Sequence, residues 1–200
     1  AEGAAEWGRC LQEIKNRGLA DVLMICSDGL AGLHEVLTAA FPLARIQRCV
    51  VHKIRNCFPL LDNKDSQEVL QQLKAVYHAI NETAAKTALE DFKIHWKGKY
   101  DVVAQMWEKD WDQLTGCMDL PLVLRKITYT TNAIENLNRE IRRVTKTKGA
   151  WVSDKALLIQ LFLSLERKQK SWNKKVHQWA LVRRELINTF GDRFSNHINP

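Results

Sequence analysis

Asp21-Val22-Leu23-Met24-Ile25-Cys26-Ser27-Asp28-Gly29 is the stretch that decides the fold. A short, unbroken apolar run bounded by turn-forming residues reads as a strand covered on both faces. Upstream, Trp7 to Arg17 has helical spacing and stops at Gly18. Downstream, Leu30 to Ala40 reads as a helix halted near Pro42, Ala44 to Val51 as a second strand, and His52 to Phe58 as the start of another helix. Helix, strand, helix, strand in that order predicts a parallel, helix-covered sheet, hence an α/β fold in a predominantly helical chain. Asp28 then falls at the carboxyl end of a strand, where open α/β sheets place their ligands. Ser27 or Asp28 capping the next helix is the ordinary alternative.

Residues 65–114 have another character. Val69, Leu70, Leu73, Val76 and Tyr77, then Ala84, Ala88, Leu89 and Phe92, then Val102, Val103, Met106 and Trp107 recur at helical spacing, with no strand pattern among them. Residues 63–120 therefore read as a helical lobe inserted between the second strand and the helix that carries Glu135. Trp107 and Trp111 stand one turn apart, which suits a core pair; a stacking platform for an unpaired base is the alternative.

Ile127 to Trp151 reads I-T-Y-T-T-N-A-I-E-N-L-N-R-E-I-R-R-V-T-K-T-K-G-A-W. Ile127, Thr128 and Tyr129 are expected to be extended, and Thr130, Thr131 and Asn132 favour a helix start. Ile134, Leu137, Ile141 and Val144 mark a buried stripe. Glu135 stands off that stripe, and Arg139, Arg142, Arg143, Lys146 and Lys148 occupy the exposed arc up to Gly149. An acid able to hold a metal beside cations able to hold phosphates suits phosphodiester chemistry. Two plainer readings stay open: Asn132 and Glu135 as a capping pair, and Glu135 with Arg139 as an i,i+4 ion pair. Beyond Gly149, Asp154 to Lys170 reads as a strongly apolar helix and Lys174 to Phe190 as a basic, Trp-containing one.

Charge is unevenly spread. Up to Leu124 there are 14 Lys and Arg against 17 Asp and Glu; from Arg125 to Arg184 there are 15 against 4. A positive segment of that kind points to a polyanionic partner, with a merely solvated face as the alternative. Five cysteines at irregular spacing make no disulfide framework and suit a reducing cytosol. Cys49 and His52 form C-x-x-H, half of a zinc site without a second half, or else a packing pair. A Gly-rich phosphate loop, a nucleophile elbow and a membrane-length apolar run are all missing from the sequence. The first Met is Met24, inside a predicted strand, so the chain is expected to be a piece of something longer.

Several motifs together resemble the mutator-type bacterial insertion-sequence transposases. They are S-D-G-L-A-G from Ser27, Q-R-C-V-V-H-K-I-R-N from Gln47, W-x-x-x-W-D from Trp107, Y-T-T-N-A-I-E-N-L-N-R from Tyr129 and T-K-T-K-G-A-W from Thr145. That resemblance implies a DDE catalytic triad on a ribonuclease-H-like fold, with Asp28 as the second Asp and Glu135 as the Glu, both metal ligands. It also implies that Cys49 and His52 match a family signature. Residues 1–62 and 121–200 would form a partial ribonuclease-H-like core with basic C-terminal helices, and residues 63–120 the insertion. The family's first Asp lies upstream of anything present, since residues 1–20 contain no Asp. Mg²⁺ or Mn²⁺ is thus expected only with that missing Asp, and the chain alone is expected to be inactive. Implied partners are double-stranded DNA, at transposon ends and target, and further copies of the protein through an exposed sheet edge. No membrane and no small-molecule substrate is implied; the setting would be the bacterial cytoplasm, at the nucleoid. A non-catalytic DNA-binding remnant is the competing expectation.

Overall fold

The computed structural model describes residues 3–129, 132–146, 150–169 and 178–198, with the side chains of residues 132 and 133 outside the description. The described chain is mostly helical, with one small parallel sheet. It divides into two compact units, Ala1–Tyr129 with Val182–Pro200, and Thr130–Leu181.

In the first unit, α1 (Ala4–Asn16) ends before Gly18, whose φ of +103° is a conformation glycine adopts without penalty. β1 (Met24–Ser27) and β2 (Arg45–Arg48) pair in parallel, Met24 opposite Arg45 and Ser27 opposite Arg48, joined through α2 (Leu33–Ala40). The D-V-L-M-I-C run is apolar throughout because both of its sides are covered. Val22 and Ile25 pack with Leu11, Leu33, Leu37 and Phe41 of the α1–α2 layer. Leu23 and Met24 pack with Cys117, Leu120, Leu124, Val182 and Leu186 instead. Both faces are covered as the sequence predicts, yet every residue of β1 is only half-buried. Among the described residues β1 has a strand on one edge alone, so solvent reaches it from the other.

α3 (Val50–Cys57) begins directly after β2, because Cys49 already serves as its N-cap; this shortens the predicted second strand. A single 3-10 turn, Phe58–Leu60, leads to α4 (Ser66–Tyr77), α5 (Glu82–His95), α6 (Asp101–Lys109) and α7 (Trp111–Thr115). Val69, Leu73, Leu89, Phe92, Trp96 and Trp107 are among the residues of one apolar core. Trp107 is 1% exposed and Trp111 9%, so the pair is core and offers no stacking platform.

Gln47 holds this helical region to the sheet. Its side chain is fully buried; Nε2 donates to the carbonyls of Leu114 (2.7 Å) and Arg48 (3.0 Å), and Oε1 accepts the Cys117 N–H (3.1 Å). Gly116 lies between those partners, and a Cβ there would run into the Ile46 carbonyl. The absent side chain lets the 114–117 turn lie against β2.

Residues 127–129 are not extended. α8 (Leu122–Thr128) occupies the segment, and Tyr129 is its C-cap. Arg125 ties the segment to the core against the strand preference of Ile127 and Thr128: its buried guanidinium donates to the carbonyls of Ala79 (2.8 Å) and Ile80 (3.5 Å). The chain returns to this unit through α11 (Trp179–Phe190) and α12 (Asp192–Ser195). Arg193 clamps Asp21 with two bonds, Nε to Oδ2 at 2.9 Å and Nη2 to Oδ1 at 2.8 Å, and also donates to the Leu43 carbonyl.

The second unit pairs α9 (Asn132–Thr145) with α10 (Asp154–Gln169). Leu137, Ile141 and Val144 are half-buried, but Ile134, expected in the buried stripe, is exposed. None of the α10 residues is fully buried, and Leu158 and Phe162 stay exposed. Lys170 and Lys174, expected at the ends of the last two helices, lie outside the described residues. No described helix is long and apolar enough to cross a membrane.

Stability should respond at two places. Gln47→Leu strands a buried carbonyl and N–H, and should cost about 1–3 kcal/mol for each group left without a partner, read as a lower midpoint in denaturant unfolding. The Arg193 bonds hold the Asp21 carboxyl below its ordinary 3.8. A depressed carboxyl stabilises the fold above that ordinary value and loses the contribution as pH falls through the lower, folded one. Acid titration of unfolding should therefore show a loss beginning below about pH 4 that Asp21→Asn removes.

Candidate functional site

β1 runs out at Ser27, and the chain turns at Asp28 and Gly29. Asp28 is exposed at the carboxyl end of the strand, and its Oδ1 accepts the Leu30 N–H at 3.3 Å. That bond is an Asx turn, the local capping role expected of Asp after a strand. The carboxylate also lines a cleft of about 410 Å³, together with Gly29, Arg48, Lys53, Asp110 and Glu35.

A cluster of ions forms the wall of this cleft. Arg48, the last residue of β2, places Nη1 2.6 Å from Asp110 Oδ1, and Lys53 of α3 pairs with the other carboxylate oxygen. These side chains retain 19%, 12% and 4% of their exposure for Arg48, Asp110 and Lys53. Three chain segments, β2, α3 and the C-terminal end of α6, are tied at one point. Sequence reading passed over Asp110. Its one local signal is a carboxylate set between the buried Trp107 and Trp111, next to the core and away from bulk water.

Cys49 and His52 lie just behind the same strand ends. Cys49 is buried, and its N–H donates to the Ser27 carbonyl at 2.7 Å, fixing β2 to β1 immediately before Asp28. The Cys26 thiol is pushed up by its hydrogen bond with Cys49 and by burial; burial raises Cys117 to about 11. His52 Nδ1 is buried with no hydrogen-bond partner in the protein. All five cysteines are free thiols. Among the described residues no group of three or more His, Cys, Asp or Glu is arranged to hold a metal ion.

Glu135 is half-buried in the first turn of α9. Arg139, Arg142, Arg143 and Lys146 are exposed along the same helix, as their spacing predicts, and Arg143 Nη2 lies 2.9 Å from Glu140. Lys148 lies outside the described residues, as does the Asn132 side chain and with it the capping-pair reading. A groove of about 380 Å³ between α9 and α10 collects Arg143, Arg167 and Lys168 over Val144 and Leu163. Arg167 and Lys168 add two cations that the sequence analysis did not single out. Asp28 belongs to the first unit and Glu135 to the second.

Comparison with known proteins adds sequence relatives. The profile of the family described as "Transposase, Mutator family" matches residues 1–175. The chain is 37% identical, over 98% of its length and 49% of the relative's, to a transposase for insertion sequence element ISRM3 of Rhizobium meliloti (strain 1021). It is 35% identical, over 88% of its length and 45% of the relative's, to the transposase for insertion sequence element IS905 of Lactococcus lactis subsp. lactis (strain IL1403). A probable insertion-sequence transposase of Corynebacterium diphtheriae is 36% identical over 82% of the chain and 48% of its own length. The chain spans about half the length of the curated relatives it matches.

The ion cluster makes a stability prediction of its own. Asp110→Ala leaves Arg48 and Lys53 enclosed without a counter-charge, and should cost about 3–5 kcal/mol in urea unfolding. Adding Lys53→Met should recover part of that loss, because one of the stranded charges is gone.

Proposed function

We propose, from the premise that the chain belongs to the Mutator family of transposases, that it supplies two of the three catalytic carboxylates of an insertion-sequence transposase. The observation that carries this reading is Asp28, placed at the carboxyl end of a parallel strand, exposed, and opening on a cleft. Its parallel β-α-β unit is compatible with a partial ribonuclease-H-like core, with residues 63–120 as a helical insertion. In this reading Glu135 is the other carboxylate, and the third comes from the part of such a protein that lies outside these 200 residues.

The donor set fits a hard divalent cation. Asp28 is a carboxylate accessible to solvent, Glu135 is partly accessible, and oxygen ligands of this kind suit Mg²⁺ or Mn²⁺. Such ions supply, when bound, activation of an attacking hydroxyl and stabilisation of a leaving oxygen in an in-line displacement. The chain's own contribution is to hold Asp28 at a strand end and to present Arg139, Arg142, Arg143, Lys146 and Lys148 to DNA phosphates. On this reading these 200 residues alone bind double-stranded DNA without cutting it, an expectation that a binding and cleavage assay of the isolated chain checks. Assembly with further copies on the DNA accompanies this reading, as does a place in the bacterial cytoplasm at the nucleoid. The exposed cations of α9 also support a second reading, a DNA-binding module that has no part in the chemistry.

Asp28→Ala and Glu135→Ala, each made in the full-length transposase, should abolish cleavage of transposon-end DNA in Mg²⁺ while leaving DNA affinity nearly unchanged. Cleavage that survives both substitutions favours the binding-module reading. Under that reading DNA affinity falls steeply with salt and neither acid matters to it.

A further inference from the structure

The cluster formed by Arg48, Asp110 and Lys53 has no role in the proposed chemistry, yet it occupies the cleft that Asp28 opens on. Enclosed ion pairs are poor stabilisers, since apolar side chains of similar volume serve as well or better. Its geometry suggests another use. Asp110 grips Arg48 at 2.6 Å, and Gln113 Oε1 accepts from the same Nη1 at 3.4 Å, so the guanidinium is fixed on the α6–α7 side. Its other side lies against the Gly29 backbone. A Cβ on residue 29 would stand 2.5 Å from Cζ and 2.8 Å from Nε of Arg48, so only glycine leaves room for this contact. Gly29 is the residue after Asp28, and the Asx turn from Asp28 to Leu30 spans it.

We infer that Asp110 is a positioning residue for the Asp28 loop, acting through Arg48. Asp110 holds the guanidinium, the guanidinium backs the turn at Gly29, and the turn sets where the Asp28 carboxylate stands. The helical segment between β2 and α8 thereby bears on the strand end that carries the proposed metal ligand. Lys53 takes the second oxygen of Asp110 and keeps that carboxylate from rotating away from Arg48. This inference rests on the reading of Asp28 as a metal ligand.

The test uses the full-length transposase and Mg²⁺-dependent cleavage of transposon-end DNA, with Asp28→Ala alongside. Arg48→Ala and Gly29→Ala should each lower cleavage by about tenfold and raise the Mg²⁺ concentration giving half-maximal rate. Because both act on one contact, the double variant should be no worse than the worse single one. Asp110→Glu should retain more activity than Asp110→Asn at matched folded fraction. Hydrogen–deuterium exchange of the peptide covering residues 27–33 should rise in Arg48→Ala, with the α4 and α5 peptides unchanged. Gly29→Ala adds one methyl group at an exposed turn, so it reports on the contact even where Asp110 variants fail to fold. Wild-type cleavage by Arg48→Ala, or effects of Arg48→Ala and Gly29→Ala that multiply, overturns the inference. If Asp28→Ala also cleaves normally, the reading of Asp28 falls with it; if only Asp28→Ala is inactive, that reading stands and this inference alone is lost.

Discussion

One buried amide makes three hydrogen bonds, and two of them hold the sheet to the helices. Gln47 belongs to a two-stranded sheet, too small to be stable by its own pairing. Its amide spends both of its functions on the backbone of residues 114–117 and on Arg48. A buried side-chain amide is tolerable only when it is satisfied in this way. Gly116 contributes the complementary half of the constraint, because a side chain there would meet the Ile46 carbonyl. With the turn against β2, the neighbouring end of α6 comes within reach of Arg48 and Lys53. The ion cluster therefore depends on the amide contact.

Periodicity in the sequence revealed those elements whose reasons are local. The D-V-L-M-I-C run became a strand, and Gly18 ended α1, because an unbroken apolar run and a positive φ act over a few residues. The helical character of residues 65–115 was readable for the same reason. What escaped was decided at long range. Ile127 and Thr128 favour extended backbone, yet Arg125 reaches carbonyls some 46 residues earlier and draws the segment into α8. Asp110 is a single acid among several in its stretch; its partners Lys53 and Arg48 stand 57 and 62 residues away, and no spacing rule connects them. The position of Asp28 at a strand end was legible, since it comes from the strand's own boundary. The contact behind it was not, because it needs the fold.

C-x-x-H shows how a pattern can be legible while its local role is not. Cys49 and His52 drew notice as possible metal ligands. In the fold Cys49 caps α3, bonds through its backbone to Ser27, and shares a hydrogen bond with Cys26. Through its backbone bond to Ser27, Cys49 holds the strand ends from behind while Arg48 backs the turn from the cleft side. Asp28 stands between two independent supports.

The two classes of proposed functional residue are placed under different physical demands. A metal ligand must be held to within about 0.5 Å, which calls for a rigid element with packed neighbours. Asp28 has that support from paired strands, a backbone bond at Cys49 and the enclosed guanidinium of Arg48. A cation that meets DNA phosphates acts over about 8–10 Å at ordinary ionic strength and tolerates a mobile side chain. Arg139, Arg142, Arg143 and Lys146 are exposed on a helix that packs against α10. Exposure lowers the cost of keeping them charged, which suits the proposed contact with phosphates. A carboxylate among those cations, Glu135, would be drawn toward them as readily as toward a metal unless its helix is itself anchored. The first turn of α9, where Glu135 is half-buried, is thus the part of this unit on which the proposed chemistry makes its strictest demand.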